Sequence, residues 1–237
     1  VGTLVPIALG VFCLVLGIMI GIGKKKEKHT PHNLLITLIG GILVWLGWYG
    51  FNVGSAFTFD HIAMISFVNT VIGASAGAFG WLIFEYILKK TTSLLGLLSG
   101  ALSGLVAITP AAGYVSYMSA MIIAIIGGIC CYIVINLIKV KLQYNDALDA
   151  FGIHGVGGIL GAVLTGVFQS HQINSAVQNG FIYTADFKVV VIQLGAAIAT
   201  VVFSAIVTFL IARFIKIFTP LATTQEEDKT GLDAIVH

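Results

Sequence analysis

Two groups of residues in this sequence have the types and spacing to do chemistry. The first centres on His154. On a helix it shares a face with Ala150, Gly157, Gly158, Gly161 and Thr165, at steps of three, four, seven, eight and eleven. An imidazole therefore stands on a stripe of small residues, where a neutral ring offers one donor and one acceptor nitrogen. Two readings fit: a hydrogen-bonding residue that ties helices together, or a group on the wall of a narrow conduit. The second group is Trp48, Phe51 and Ser55, spaced by three and four and so on one helix face. Aromatic rings with a neighbouring hydroxyl can collar a small cation. Together with Trp45 and Tyr49, the same residues also fit an interfacial aromatic belt.

The remaining polar groups inside apolar runs are few: Asn69, Glu85, Asp149 and Gln193. Glu85 precedes Lys89 by four residues, the spacing of an ion pair along a helix. Asn69 and Gln193 read as interhelical hydrogen-bond glue. Nothing points to an enzyme, a cofactor or a resident metal, because no triad, nucleotide loop or ligand cluster is legible. HGVGG at 154–158 lacks the GxGxxG step and has no strand before it. Cys13, Cys130 and Cys131 all fall in apolar runs and read as small core residues.

These groups must be positioned by elements that live in lipid. Of 237 residues, 58% are hydrophobic and only 9% charged, and the mean hydropathy is +1.03. A soluble domain of about 25% charged residues can cover its apolar surface; this chain cannot. A net charge of +2 gives no electrostatic case for nucleic acid. A bilayer core about 30 Å thick needs about 20 apolar residues per helix. Seven segments meet or approach that length, roughly 3–22, 33–51, 62–88, 93–109, 114–138, 149–169 and 188–216. The expected fold is an all-α polytopic membrane bundle, with a membrane domain over 1–216 and a tail over 217–237. Recurrent four-residue glycine steps mark packed helix faces: Gly96/Gly100/Gly104, Gly17/Gly21, Gly50/Gly54, Gly73/Gly77 and Gly157/Gly161.

Lys24, Lys25, Lys26, Lys28, Lys89, Lys90, Lys139 and Lys141 follow the first, third and fifth segments, and Arg213, Lys216 and Lys229 come at the end of the seventh. Eleven of the 12 basic residues thus fall on one side, with Lys188 alone on the other. The positive-inside rule makes that side cytoplasmic and puts the visible N-terminus outside. Residue 1 is Val and the chain opens inside an apolar run, so a piece of a longer protein is expected.

The segment DALDAFGIHGVGGILGAVLTGVF at 146–168 resembles the tenth-helix signature of the ammonium transporter family (Amt/Mep, with the more distant Rh proteins). PHNL at 31–34, GWYGFNVGSA at 47–56, FVNT at 67–70, SLLGLLSGALSGLVAITPAAGYV at 93–115 and GLD at 231–233 are similar to further family segments, in the family's order. The resemblance covers nearly the whole chain, as spans five to eleven of an eleven-span subunit with inverted repeats.

This resemblance implies ammonium or ammonia transport across a cell membrane, with methylammonium as an analogue, by a homotrimer in which each subunit has its own pore. It implies that His154 is the second of two paired pore histidines and Phe51 the inner phenylalanine of the outer gate. Ser55 becomes the serine of the external ammonium site, Trp48 a pore-lining tryptophan, and Asp149 an acidic residue with a structural or electrostatic role near the pore. A PII-type signal protein is the implied partner at the cytoplasmic face. One departure is visible. GTLVP at 2–6 resembles the stretch in which the first pore histidine follows GTxV, and Pro6 stands in its place. That departure keeps open an alternative, an ammonium-sensing or non-conducting member of the same fold.

Overall fold

The computed structural model describes residues 2–20, 33–139, 141, 146 and 149–222. Lys24 to Lys28, Pro31, His32, Glu226 to Asp228, Lys229 and the GLD stretch lie outside the described residues.

Hydrogen-bonding side chains start most of the helices. Pro6 sits in the first turn of α1 (Leu4–Ile20), where a missing N–H is tolerated. Asn33 caps α2 (Leu34–Gly54) by accepting from the Ile36 amide at 3.1 Å. Asp60 caps α3 (His61–Lys89) through the Ile62 and Ala63 amides, and Lys90 ends it in the left-handed region at φ 58°. Ser93 caps α4 (Leu94–Ile108) and Ser116 caps α5 (Tyr117–Ile133), which widens into a π turn over Val134–Lys139. The sixth helix, α6, opens as a π turn over Phe151–Val156 and continues as regular helix over Gly157–Phe168. A short α7 (Phe181–Thr184) leads into α8 (Lys188–Phe218).

All seven expected segments are helical, but five are long and apolar enough to span by themselves: α2, α3, α5 with its π turn, α6 and α8. The 17 residues of α1 fall just short. The 15 residues of α4 rise only about 23 Å at 1.5 Å each. Its chain runs on through a buried non-helical turn at 109–115. The expected start of the sixth segment also shifts, since Asp149 has φ 55° and stands outside the helix.

Packing is inverted relative to a soluble protein. Large apolar side chains such as Leu35, Ile36, Phe203 and Ile217 face outward. The interior holds many small residues and buries the polar side chains of Asn69, Thr70 and Ser103 completely, beside apolar clusters around Tyr132 and Ile108. The three-way contact of α3, α4 and α5 is the densest part. There the α4 glycine stripe meets α3: a Cβ on Gly104 would strike Gly73 and Gly77, and one on Gly100 would strike Trp81 and Ala78. Gly50 and Gly54 differ from expectation, because open space surrounds both. At one end of this core Lys89 pairs with Glu85 (3.6 Å) and donates to Asn136 of α5 (3.4 Å), so the lysine-bearing ends of α3 and α5 lie on the same side. Glu85 is buried and also accepts from the amide and hydroxyl of Ser93, which anchors the start of α4.

Candidate functional site

His154 lies in the opening π turn of α6, a helix whose start is held from outside. The Asp146 carboxylate accepts from the amides of Ala150 (2.8 Å), Phe151 (3.0 Å) and Gly152 (3.4 Å), satisfying donors that a helix start leaves orphaned. Burial pushes the Asp146 carboxyl above its usual range, against the pull of the Lys139 ammonium and the amides of Gly152 and Ala150. The Lys139 ammonium bonds the Asp149 carboxylate at 2.6 Å and the Asp146 carbonyl, clipping the end of α5 to the start of α6. Asp149 thus bears an ion pair one turn before His154.

The stripe beneath His154 does something other than leave a passage. Gly155 and Gly10 bring the backbones of α6 and α1 into contact, and a Cβ on either would collide with the other helix or with Phe151. Gly158 abuts Pro6 and Ile7 of α1, while Gly161 abuts Ala107 of α4. Most of the small-residue face is therefore spent on close packing. Its far member, Thr165, lies at the rim of a polar cavity. Pro6 is buried in this contact, directed at the α6 glycine one turn beyond His154.

The aromatic residues of α2 come to the imidazole. The Trp48 indole stacks on the His154 ring with centroids 5.9 Å apart and planes at 23°. The Phe51 ring meets Trp48 edge-on at 6.4 Å and 65°. The structure so joins Trp48 and Phe51 of α2 to His154 of α6. Among the described residues no hydrogen-bond partner holds either ring nitrogen of His154; the stacked indole orients the ring.

Ser55 ends α2, donating its hydroxyl to the Phe51 carbonyl at 2.7 Å. Its proton is used there, so the oxygen keeps its lone pairs for a donor. It lines a cavity of about 420 Å³ together with Asn52, Thr109, Thr165, Gln169 and Gln193. Oxygen acceptors dominate these side chains, a lining suited to a small group that carries N–H or O–H donors.

Sequence reasoning missed Thr109 and the partner of Asn52. Thr109 accepts the Trp48 indole N–H at 2.7 Å, and Asn52 donates to Thr70 of α3 at 3.0 Å. The available signal was polarity next to Pro110 and next to Phe51. Asn69 acts as the expected glue, donating to the carbonyls of Ala112 (2.8 Å) and Val115 (3.0 Å). Gln193 does not; it faces the cavity.

A profile of the "Ammonium Transporter Family" matches residues 1–237. The chain is 48% identical over 236 residues to an ammonium transporter of Bacillus subtilis, covering all of this chain and 58% of that protein. It is 39% identical to an ammonium transporter of Aquifex aeolicus, again over its whole length and 55% of the relative. Among solved structures it is similar to Saccharomyces cerevisiae Mep2, with a TM-score of 0.84 and 31% identity over 93% of this chain and 53% of that one. A structure described as a sensor Amt protein aligns with a TM-score of 0.85 and 29% identity, over 99% of this chain and 58% of the other. The chain spans a little over half the length of these relatives.

Proposed function

The chain belongs to the ammonium transporter family, and from that premise we propose that it forms part of a pore that recruits ammonium outside and passes ammonia inward past His154. It is a multi-pass membrane protein by its family and its five spanning helices.

The supporting observation is the unbroken contact of Phe51, Trp48 and His154, beside a cavity rich in oxygen acceptors. Ammonium is a cation, and carrying such an ion into a low-dielectric medium costs on the order of 20 kcal/mol in the Born limit. A desolvated cation–π contact returns only about 2 kcal/mol. Aromatic rings with the Ser55 oxygen therefore recruit the ion but do not carry it through. Neutral ammonia has the smaller barrier. Ammonium gives up its proton to water at the outer mouth, and ammonia moves on while the proton stays behind. His154 suits the passage, since a neutral ring both donates to and accepts from ammonia. No ring of backbone carbonyls of the TVGYG kind is legible in the sequence to offer the ion a dehydrated path.

The rest of the reading follows the lysines and the family. Residues 1–216 form the membrane domain, with the N-terminal end outside, and 217–237 a cytoplasmic tail that offers a face to a PII-type signal protein. The assembly is a homotrimer with one pore per subunit. Pro6, buried where the first pore histidine of the family is expected, favours a second reading in which the protein senses ammonium without conducting it.

The test is His154→Ala in the full-length protein, read as methylammonium uptake and ammonium-dependent current. Loss of a hydrogen-bonding partner worth about 1.4 kcal/mol lowers flux about tenfold. Unchanged flux and unchanged preference for ammonium over potassium overturn the pore reading. A wild-type protein that binds but carries no flux supports the sensor.

A further inference from the structure

We propose that Thr109 is a positioning residue for His154, acting through Trp48. It sets the plane of the indole, and the indole sets the plane of the imidazole. This rests on the reading that His154 borders the pore.

The hydrogen-bond directions are fixed by chemistry. An indole nitrogen only donates, and a threonine hydroxyl has one proton. Thr109 gives that proton to the Leu105 carbonyl at 2.5 Å, so its oxygen is the acceptor for the Trp48 N–H at 2.7 Å. The result is a one-way chain, Trp48 to Thr109 to Leu105, whose members polarise one another. It begins on α2 and ends in the last turn of α4, and the stacked ring at its head is His154.

The indole is held by a directional bond as well as by packing. Trp48 rests on the cluster that includes Val106 and Ile153 and touches the rings of His154 and Phe51, contacts that have no direction of their own, whereas the hydrogen bond to Thr109 fixes the rotation of the indole. The indole is not the anchor of its helix. Asn52, one turn on, ties α2 to Thr70 of α3, and Gly41 seats α2 against Leu98 of α4. Removing the Thr109 acceptor therefore leaves α2 in place and lets the ring turn. The α4 end keeps its backbone cap, because the Thr109 amide donates to the carbonyls of Leu105 and Val106 independently of the side chain.

The experiment compares Thr109→Val, which keeps the shape and removes the acceptor, with Thr109→Ser, which keeps the hydroxyl acceptor and loses only the methyl group, in the full-length protein. Thr109→Val lowers the maximal rate of methylammonium uptake roughly threefold to tenfold, the equivalent of one hydrogen bond, with little change in apparent KM. Thr109→Ser restores the rate. Ultraviolet resonance Raman difference spectra show one indole N–H losing its hydrogen bond in the valine variant. Trp48→Phe, which has a ring but no N–H, serves as the second background and as the fallback where Thr109→Val does not fold. In that background the valine and serine variants at 109 give equal rates. Failure of serine to rescue, or an undiminished effect of valine in the Trp48→Phe background, overturns the proposal. If His154→Ala impairs transport while Thr109→Val does not, only this inference falls. If His154→Ala changes nothing, the pore reading falls first.

Discussion

Asn69 is the residue whose removal tests the architecture most directly. It is fully buried on α3, and its amide nitrogen donates to the Ala112 and Val115 carbonyls in the turn after α4. Replacement by Ala removes both bonds and strands both carbonyls away from water. Each orphaned buried acceptor costs about 1–3 kcal/mol. Interhelical bonds in membrane proteins average nearer 0.6 kcal/mol, which pulls the sum toward its lower end. The Asn69 oxygen has no partner among the described residues, so deleting the side chain also removes one existing penalty. The net expectation is about 2–3 kcal/mol.

For a protein of this size that corresponds to a fall in Tm of about 4–12 °C, measurable by thermal unfolding in detergent. Asn69→Asp is the discriminating companion. It has nearly the same shape, but an ionised carboxylate is acceptor-only and would face two carbonyl oxygens. It is expected to be worse than Ala despite filling the space. If Asn69→Ala unfolds within about 1 °C of wild type, or if Asp is tolerated as well as Asn, the hydrogen bonds are not what holds the turn.

Further expectations concern the ends and seams of helices. Hydrogen bonding from Thr58, then from the Ala63 and Ile62 amides, holds the Asp60 carboxyl below its usual range. The folded form therefore binds protons less tightly than the unfolded one. The cap's contribution is complete at neutral pH and disappears as pH falls from about 4 through the depressed folded value. Amide exchange at residues 62 and 63, corrected for intrinsic rates, should rise over that window in wild type but not in Asp60→Asn. A pH-independent wild type contradicts the cap. Gly10→Val should push α1 off the Gly155 backbone, destabilising by about 1–3 kcal/mol and depressing methylammonium uptake, with Gly10→Ala intermediate. An unaltered Tm for Gly10→Val would rule out that contact.

How much was legible depended on whether lipid or a distant partner imposed the constraint. Lipid forbids unpaired backbone, so apolar runs had to be helices, and the positions of all seven were readable. The pairing of Glu85 with Lys89 was also readable, because its partners lie one turn apart. The burial of Glu85 was not, since that depends on the Ser93 amide and on Gly96 across a turn. Thr109 escaped notice because its partner is 61 residues away on another helix. The face assigned to His154 was only half right. A π turn adds a residue to one helical circuit without any change in hydropathy, so a 3.6-residue wheel loses its phase there. Gly157, Gly158 and Gly161 kept their mutual spacing but serve α1, α4 and α5 rather than open space.

The short α4 explains why the polar groups gather where they do. A helix carried through to residue 115 would satisfy its own carbonyls and present only side chains to its neighbours. Stopping at Ile108 frees the carbonyls of the turn, and groups from elsewhere must come to them. Asn69 reaches Ala112 and Val115 from α3, Asn174 reaches Gly113 at 3.2 Å, and the Ser170 amide reaches Tyr114 at 2.9 Å. Non-helical backbone at membrane depth survives only when enclosed by protein or lining a cavity. This turn does both, buried on one side and walling the cavity of Ser55 and Thr109 on the other. The polar mouth and the enclosed turn are therefore one feature. A substitution that straightened α4 into a full span would remove the cavity and the Trp48 acceptor together, leaving the imidazole behind an ordinary apolar helix.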